Sequence, residues 1–381
     1  MFMIFKYIKS LFSILSLNIK IIYLKYKKKK IIFFYSPGEK IASPANYIQD
    51  LFNEFGKDFV IIFGFNSENI LKSKNYYFIK PFFLKFIYNV DIFFDNSVST
   101  AFTNKSVRIF MHHDIYHTPL MNLEKEKKIF EKIYNYDFIL LSNKKNIDTF
   151  RSIFNNHTLN LNKNSPKLLE SGYVKLDYLK DINKIDLKNT NIVIAPTNYK
   201  ILEELSIFYN IEKIIENLFK YTSSKIIFRP HPANLNDENT LKIKKTFSDN
   251  EKFIFDDSKD YFDTYSSSNC LITDVSGTAY TYAFLTKKPV IFFSLDEKMV
   301  SRMAYEKIPY FYDRNKVGVV VNNLKEMQLA ITNINSLNQE KKNSIDNLEK
   351  EMIYLGNSKK RVKEIINQII ENKYETVKKI K

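Results

Sequence analysis

The chain has 381 residues, long enough that two domains are expected, and it carries a formal net charge of +16. At 45% hydrophobic and 15% aromatic it can bury real cores, which excludes a disordered chain. The positive balance favours anionic partners such as phosphorylated substrates or anionic lipid, and the lone Cys270 excludes a disulfide within the chain.

The first predicted element, residues 2–24, has apolar runs at 1–5 and 11–19, interrupted by Lys6, Lys9 and Lys20. A spanning helix wants roughly 20 mostly apolar residues, so these lysines argue against a span, and no small-residue cleavage site marks a signal peptide. With Lys25 and the run Lys27 to Lys30, residues 1–30 read as a basic amphipathic helix. Such a helix would lie peripherally on the anionic cytoplasmic face of the cell membrane.

Apolar runs at 31–35, 59–63, 91–94, 107–111 and 138–141 read as buried strands, with a helix at 45–55. An Asn- and Lys-rich linker follows at 157–166. Further strands are expected at 191–195, 226–228, 253–255, 270–272, 289–293 and 318–321, with helices around 203–221 and 278–285. Strands that alternate with helices predict parallel α/β architecture. The division expected is an N-terminal Rossmann-like domain at 31–160, a second at 166–325 with a cleft between them, and C-terminal helices at 326–381. There is no Gly-x-Gly-x-x-Gly and no Walker motif among only seven glycines, which removes support for a nicotinamide or ATP site.

In parallel sheets, ligands bind beyond the carboxyl ends of strands. In the second half those ends carry Arg229-Pro230-His231-Pro232 and Thr273-Asp274-Val275-Ser276-Gly277-Thr278, with Thr197 and Lys200 after an earlier strand. The cations, hydroxyls and closely approachable glycine backbone suit a diphosphate. In the first half, the strand at 107–111 delivers His112, His113, Asp114 and His117. An imidazole there can take a proton from an attacking hydroxyl, and Asp114 can orient it. His113 is the first choice, with His112 and His117 open. No Cys/His cluster has metal-ligand spacing. No nucleic-acid-binding motif is seen.

Taken in order, Ala195-Pro196-Thr197, Arg229-Pro230-His231-Pro232, 273–278 and Lys288-Pro289-Val290-Ile291-Phe292-Phe293 resemble the CDP-glycerol glycerophosphotransferases, teichoic-acid and capsule polymer enzymes of GT-B fold. Gly172-Tyr173-Val174-Lys175-Leu176-Asp177 is similar to the family's Gly-x-Pro-Arg-x-Asp segment. The resemblance implies a GT-B-like fold and a transfer without metal or other cofactor. Glycerol phosphate would pass from CDP-glycerol, or another group from another nucleotide-activated donor, to a polymer or lipid-linked acceptor. It implies His231 as the histidine on the donor diphosphate. Ser276 is the first hydroxyl of the family's Asp-Tyr-Ser-Ser motif, Gly277 stands at the second serine, and Thr278 can substitute. The family's His-Gly-Thr motif is absent; this chain has His113-Asp114 and His117-Thr118-Pro119. The alternatives are a GT-B glycosyltransferase using a CMP- or UDP-activated sugar for capsule or lipopolysaccharide synthesis, and a non-catalytic polymer- or lipid-binding protein.

Overall fold

The structure, a computed structural model, describes residues 2–38, 43–70, 73–116, 131–155, 165–181, 190–200, 202–258, 261–303 and 308–371. The chain divides into two compact units. The first comprises Met1–His113, Glu124–Tyr178 and Ile353–Lys381; the second comprises Asp114–Leu123 and Leu179–Met352.

Among the described residues, the first unit is built on seven parallel strands: β1 (Lys30–Ser36), β2 (Phe59–Phe65), β3 (Tyr76–Phe78), β4 (Ile92–Asp95), β5 (Val107–Met111), β6 (Phe138–Leu141) and β7 (Lys167–Glu170). Their order is β3-β2-β1-β4-β5-β6-β7. Alternate residues of a strand point to opposite faces, and the apolar runs exist because both faces are covered. On one face Ile32, Phe34, Phe63 and Phe94 pack with Leu51 and Phe52 of helix α2 (Asn46–Asn53). On the other, Ile31, Phe33, Tyr35 and Phe93 pack with Ile14, Leu17 and Ile21 of helix α1 (Phe2–Tyr26).

The division at residue 166 is corrected. β7 pairs with β6, Lys167 to Phe138 through Glu170 to Leu141, so the first unit continues to Tyr178. The C-terminal residues do not form a separate module either. The helix Ser358–Ile370 returns to the first unit, where Val362, Ile365, Ile366 and Ile369 join the core with α2. Its docking explains the segment from Gly172 to Asp177. Gly172 has φ +78°, and a Cβ there would run into the Ser358 hydroxyl and stand 2.9 Å from the Ile353 carbonyl oxygen. Asp177, buried, accepts from the backbone N–H groups of Gly356 and Ser358, both at 2.8 Å. The Ser358 N–H opens the helix, where no intrahelical partner exists, and Gly356 lies just before its N-cap Asn357.

The second unit repeats the plan with β8 (Asn191–Ile194), β9 (Ile226–Phe228), β10 (Phe253–Phe255), β11 (Ser268–Thr273), β12 (Val290–Phe293) and β13 (Gly318–Val321), in the order β10-β9-β8-β11-β12-β13. Every paired neighbour is parallel. Both sheets therefore share the Rossmann order in which the sequence of strands reverses beside the first strand of the unit. The helix expected at 203–221 begins only at Ile211 (Ile211–Tyr221), after a short turn at Phe208–Asn210. The delay has a tertiary cause: the Ser206 hydroxyl and the Ile207 N–H both donate to the Asp274 carboxylate, holding 206–207 out of the helix.

Candidate functional site

In the second unit the reversal of strand order falls between β8 and β11, the position at which such sheets open a crevice for ligand. The segments beyond these strands are stitched together. The Thr273 hydroxyl donates to the Ala195 carbonyl at 2.6 Å, and the Ala195 N–H donates to the Ile272 carbonyl at 3.0 Å. Asp274 Oδ1 accepts from the N–H groups of Thr197 (2.9 Å) and Val275 (2.7 Å). Its Oδ2 accepts from Ser206 Oγ (3.1 Å) and the Ile207 N–H (3.0 Å). Burial pushes this carboxyl up to about 6, with the hydrogen bonds acting in the opposite direction. Asp274 is 2% exposed. Its carboxylate holds the Thr197, Val275 and Ser206–Ile207 backbone together.

Arg229 is bonded within the unit. Its Nη1 donates to Asp256 Oδ2 at 2.5 Å and to Ser258 Oγ at 3.0 Å, and its Nη2 to the Ser258 carbonyl at 2.9 Å. The side chain is 10% exposed. Burial alone would raise the Asp256 carboxyl. The Ser258 and Thr264 hydroxyls and the Arg229 guanidinium outweigh it and hold the group below its ordinary value. The Arg229 charge is thus matched internally, and the pair fixes the β9 loop against the β10 loop. Lys200 pairs with Asp237 across the surface, with most of its side chain in solvent.

His231 follows β9 and caps the short turn Pro232–Asn234. Its Nδ1 accepts from the Ala233 N–H at 3.1 Å. A neutral ring so held carries its proton on Nε2, a donor suited to an anionic oxygen. The helix Thr278–Thr286 starts at Gly277 and is buried along its length from Ala279. Its entry is fixed from two sides: Tyr310 Oη donates to the Ser276 carbonyl at 3.1 Å, and Tyr265 Oη and Thr278 Oγ1 lie 2.6 Å apart. Asp114 belongs to this unit, and its carboxylate lies against Gly277. Tyr116, two residues on, donates to Asp313 Oδ2 at 2.9 Å and meets the Tyr280 ring edge-on at 4.6 Å.

In the first unit, His112 and His113 follow β5. His112 is buried between Phe110 and Phe150, edge-on at 5.9 and 6.0 Å, and stacks on His113 at 5.6 Å. A ring packed in that way supports the fold. His113 is the exposed ring of the two, and its carbonyl accepts from Tyr173 Oη at 2.8 Å. His117 lies outside the described residues. The sequence reading missed Asp256, Tyr265 and Tyr310. An acid two residues before a serine just after β10, beside the strand that leads into Arg229, was the available signal for the first.

The model of the CDP-Glycerol:Poly(glycerophosphate) glycerophosphotransferase family matches residues 17–370. The chain belongs to that family. A curated relative, the minor teichoic acid biosynthesis protein GgaB of Bacillus subtilis (strain 168), is 33% identical over 113 residues, 29% of this chain. The match spans only 11% of that protein. Among solved structures, a variant of the wall teichoic acid polymerase TagF soaked with CDPG is similar with a TM-score of 0.64 at 19% identity, covering 98% of this chain and 99% of that one. The UDP-GlcNAc 2-epimerase of Neisseria meningitidis bound to UDP-GlcNAc is similar at 0.61 and 15% identity, covering 89% and 100%. These likenesses establish the GT-B-like fold with two Rossmann-like units.

Proposed function

We propose that this family member transfers glycerol phosphate from CDP-glycerol to a hydroxyl of a cell-surface polymer or lipid-linked acceptor and releases CMP. The observation that carries the reading is the family match over 17–370 together with an Nε2 donor at His231, on a sheet with Rossmann strand order. In the reaction the acceptor hydroxyl gives its proton to His113 and its oxygen bonds to the β-phosphorus. The bond from that phosphorus to the bridging oxygen breaks, and CMP carries the electron pair away. His231 Nε2–H, the Ser276 hydroxyl, the Thr278 hydroxyl and the free N–H groups entering the helix at 278 stabilise charge on the phosphates. Fixed donors aimed at developing charge supply most of the rate in such chemistry.

The test is release of CMP by the purified full chain, given CDP-glycerol and a glycerol phosphate-primed acceptor. Release of UDP from UDP-sugars, with CDP-glycerol inert, would replace this reading with the glycosyltransferase alternative.

We infer in addition that the chain lies on the cytoplasmic face of the membrane. Helix α1 is long and apolar enough over Phe5–Tyr26 to cross a bilayer. Its stripe Ile14, Leu17, Ile21 is nevertheless buried in the first unit, and Lys25 is tied to Asp91 at 2.5 Å. The opposite stripe, Phe5, Ile8, Phe12, Leu15, Ile19, Ile22 and Tyr26, is exposed. Its spacing of three and four residues keeps it on one face. Phe82 and Phe86, exposed with Lys85 over both rings, belong to a turn that packs on α1 through Tyr7 and Phe83. Apolar surface bordered by lysines fits an anionic lipid interface.

A further inference from the structure

Gly277 is not a glycine for backbone reasons: its φ is −60° and ψ −21°, which any residue adopts. The reason is Asp114. A Cβ at 277 would meet Asp114 Cγ at 2.7 Å and both carboxylate oxygens at 2.8 Å, and these are its three nearest atoms. The carboxylate fills the volume that a side chain at 277 would occupy. Neither partner can easily retreat. Ser276 and Thr278 on either side of the glycine are held by Tyr310 and Tyr265, and two residues after Asp114 the chain is anchored by Tyr116 on Asp313.

The same two positions are where this chain departs from the motifs it resembles. Counted from His113, the first choice of base, His-Gly-Thr has a glycine where this chain has Asp114; Asp-Tyr-Ser-Ser has a serine where this chain has Gly277. We propose that Asp114 and Gly277 are one exchanged pair that sets donor selectivity. A serine at 277 would offer a hydroxyl donor to a phosphate oxygen. The Asp114 carboxylate offers only an acceptor, and repels phosphate. That spot therefore takes a hydroxyl of the transferred polyol, and Asp114 discriminates CDP-glycerol from CDP. The inference rests on the donor reading above and deepens it.

The experiment compares the full-length parent with Gly277→Ser, Asp114→Gly, the double exchange and the near-isosteric Asp114→Asn. Thermal midpoints and calorimetric binding of CDP and CDP-glycerol are read for each. Gly277→Ser should lose several degrees through overpacking, and adding Asp114→Gly should restore them. Asp114→Asn, folded as the parent, should lose about tenfold of the preference for CDP-glycerol over CDP, the scale of one charge-assisted hydrogen bond. A Gly277→Ser protein as stable as the parent, or a double exchange no better than Gly277→Ser, overturns the pairing. An unchanged CDP-glycerol to CDP ratio in Asp114→Asn overturns the selectivity. A parent that binds neither nucleotide overturns the donor reading and the selectivity with it, while the melting rescue still decides the pairing.

Discussion

At the scale of single residues, several charged groups that look like ligands from sequence are fixed parts of the scaffold. Asp274 and Arg229 hold loops, and His231 is set by its own turn, with Nδ1 accepting from the Ala233 N–H. His231→Ala should cut transfer by about 10²–10³-fold with the fold intact, the usual loss for one such contact; a circular dichroism spectrum and a CMP-release assay on the same sample check both halves. Asp95 supplies a pH test. It ends β4 fully buried, with Tyr136 Oη at 2.6 Å, and burial pushes its carboxyl up to about 8. A raised carboxyl binds a proton more tightly in the folded state than in the unfolded one. The stability it contributes is therefore present in acid and is lost as pH rises toward 8. Asp95→Asn removes that loss, so its melting temperature relative to the parent should climb between pH 5 and pH 8.5. A constant difference across that range would show that Asp95 is already ionised in the fold.

At the scale of elements, most strands were legible because a strand buried on both faces leaves an unbroken apolar run, as at Ile31 to Tyr35 and Val290 to Phe293. The edge strands β3 and β7 were not: three residues at Tyr76–Phe78, and two apolar residues between Lys167 and Glu170, give too little pattern. The site was partly legible. The order of segments around His231 and Ser276 follows from strand ends, which sequence shows. The Arg229–Asp256 pair and the Asp114–Gly277 contact join residues far apart in the chain, which periodicity cannot show. The Asp177 clasp is of the same kind. Asp177→Ala would strand two N–H groups at a helix start and should destabilise the protein by about 2–4 kcal/mol. Urea titration followed by tyrosine fluorescence measures it, and a loss below about 0.5 kcal/mol would mean that solvent replaces the carboxylate without difficulty.

At the scale of the whole molecule, the charge of +16 and the outward stripe of α1 act together. Phe12 and Ile19 are 68% and 70% exposed, so replacing both with Asp leaves the buried stripe untouched. Each side chain removed from a lipid interface forfeits about 1.5–3 kcal/mol of burial at most. Phe12→Asp/Ile19→Asp should therefore cut co-sedimentation with anionic-lipid vesicles at least about tenfold while CMP release from soluble substrates persists. Equal sedimentation of variant and parent would remove the membrane from the account.

The return of Ser358–Ile370 to the first unit also bears on how the protein is made. A ribosome that has already released the whole of the second sheet still holds the piece that seals one face of the first. Until residues 358–370 have left the ribosome, Phe34, Phe63 and Phe94 lack part of their cover.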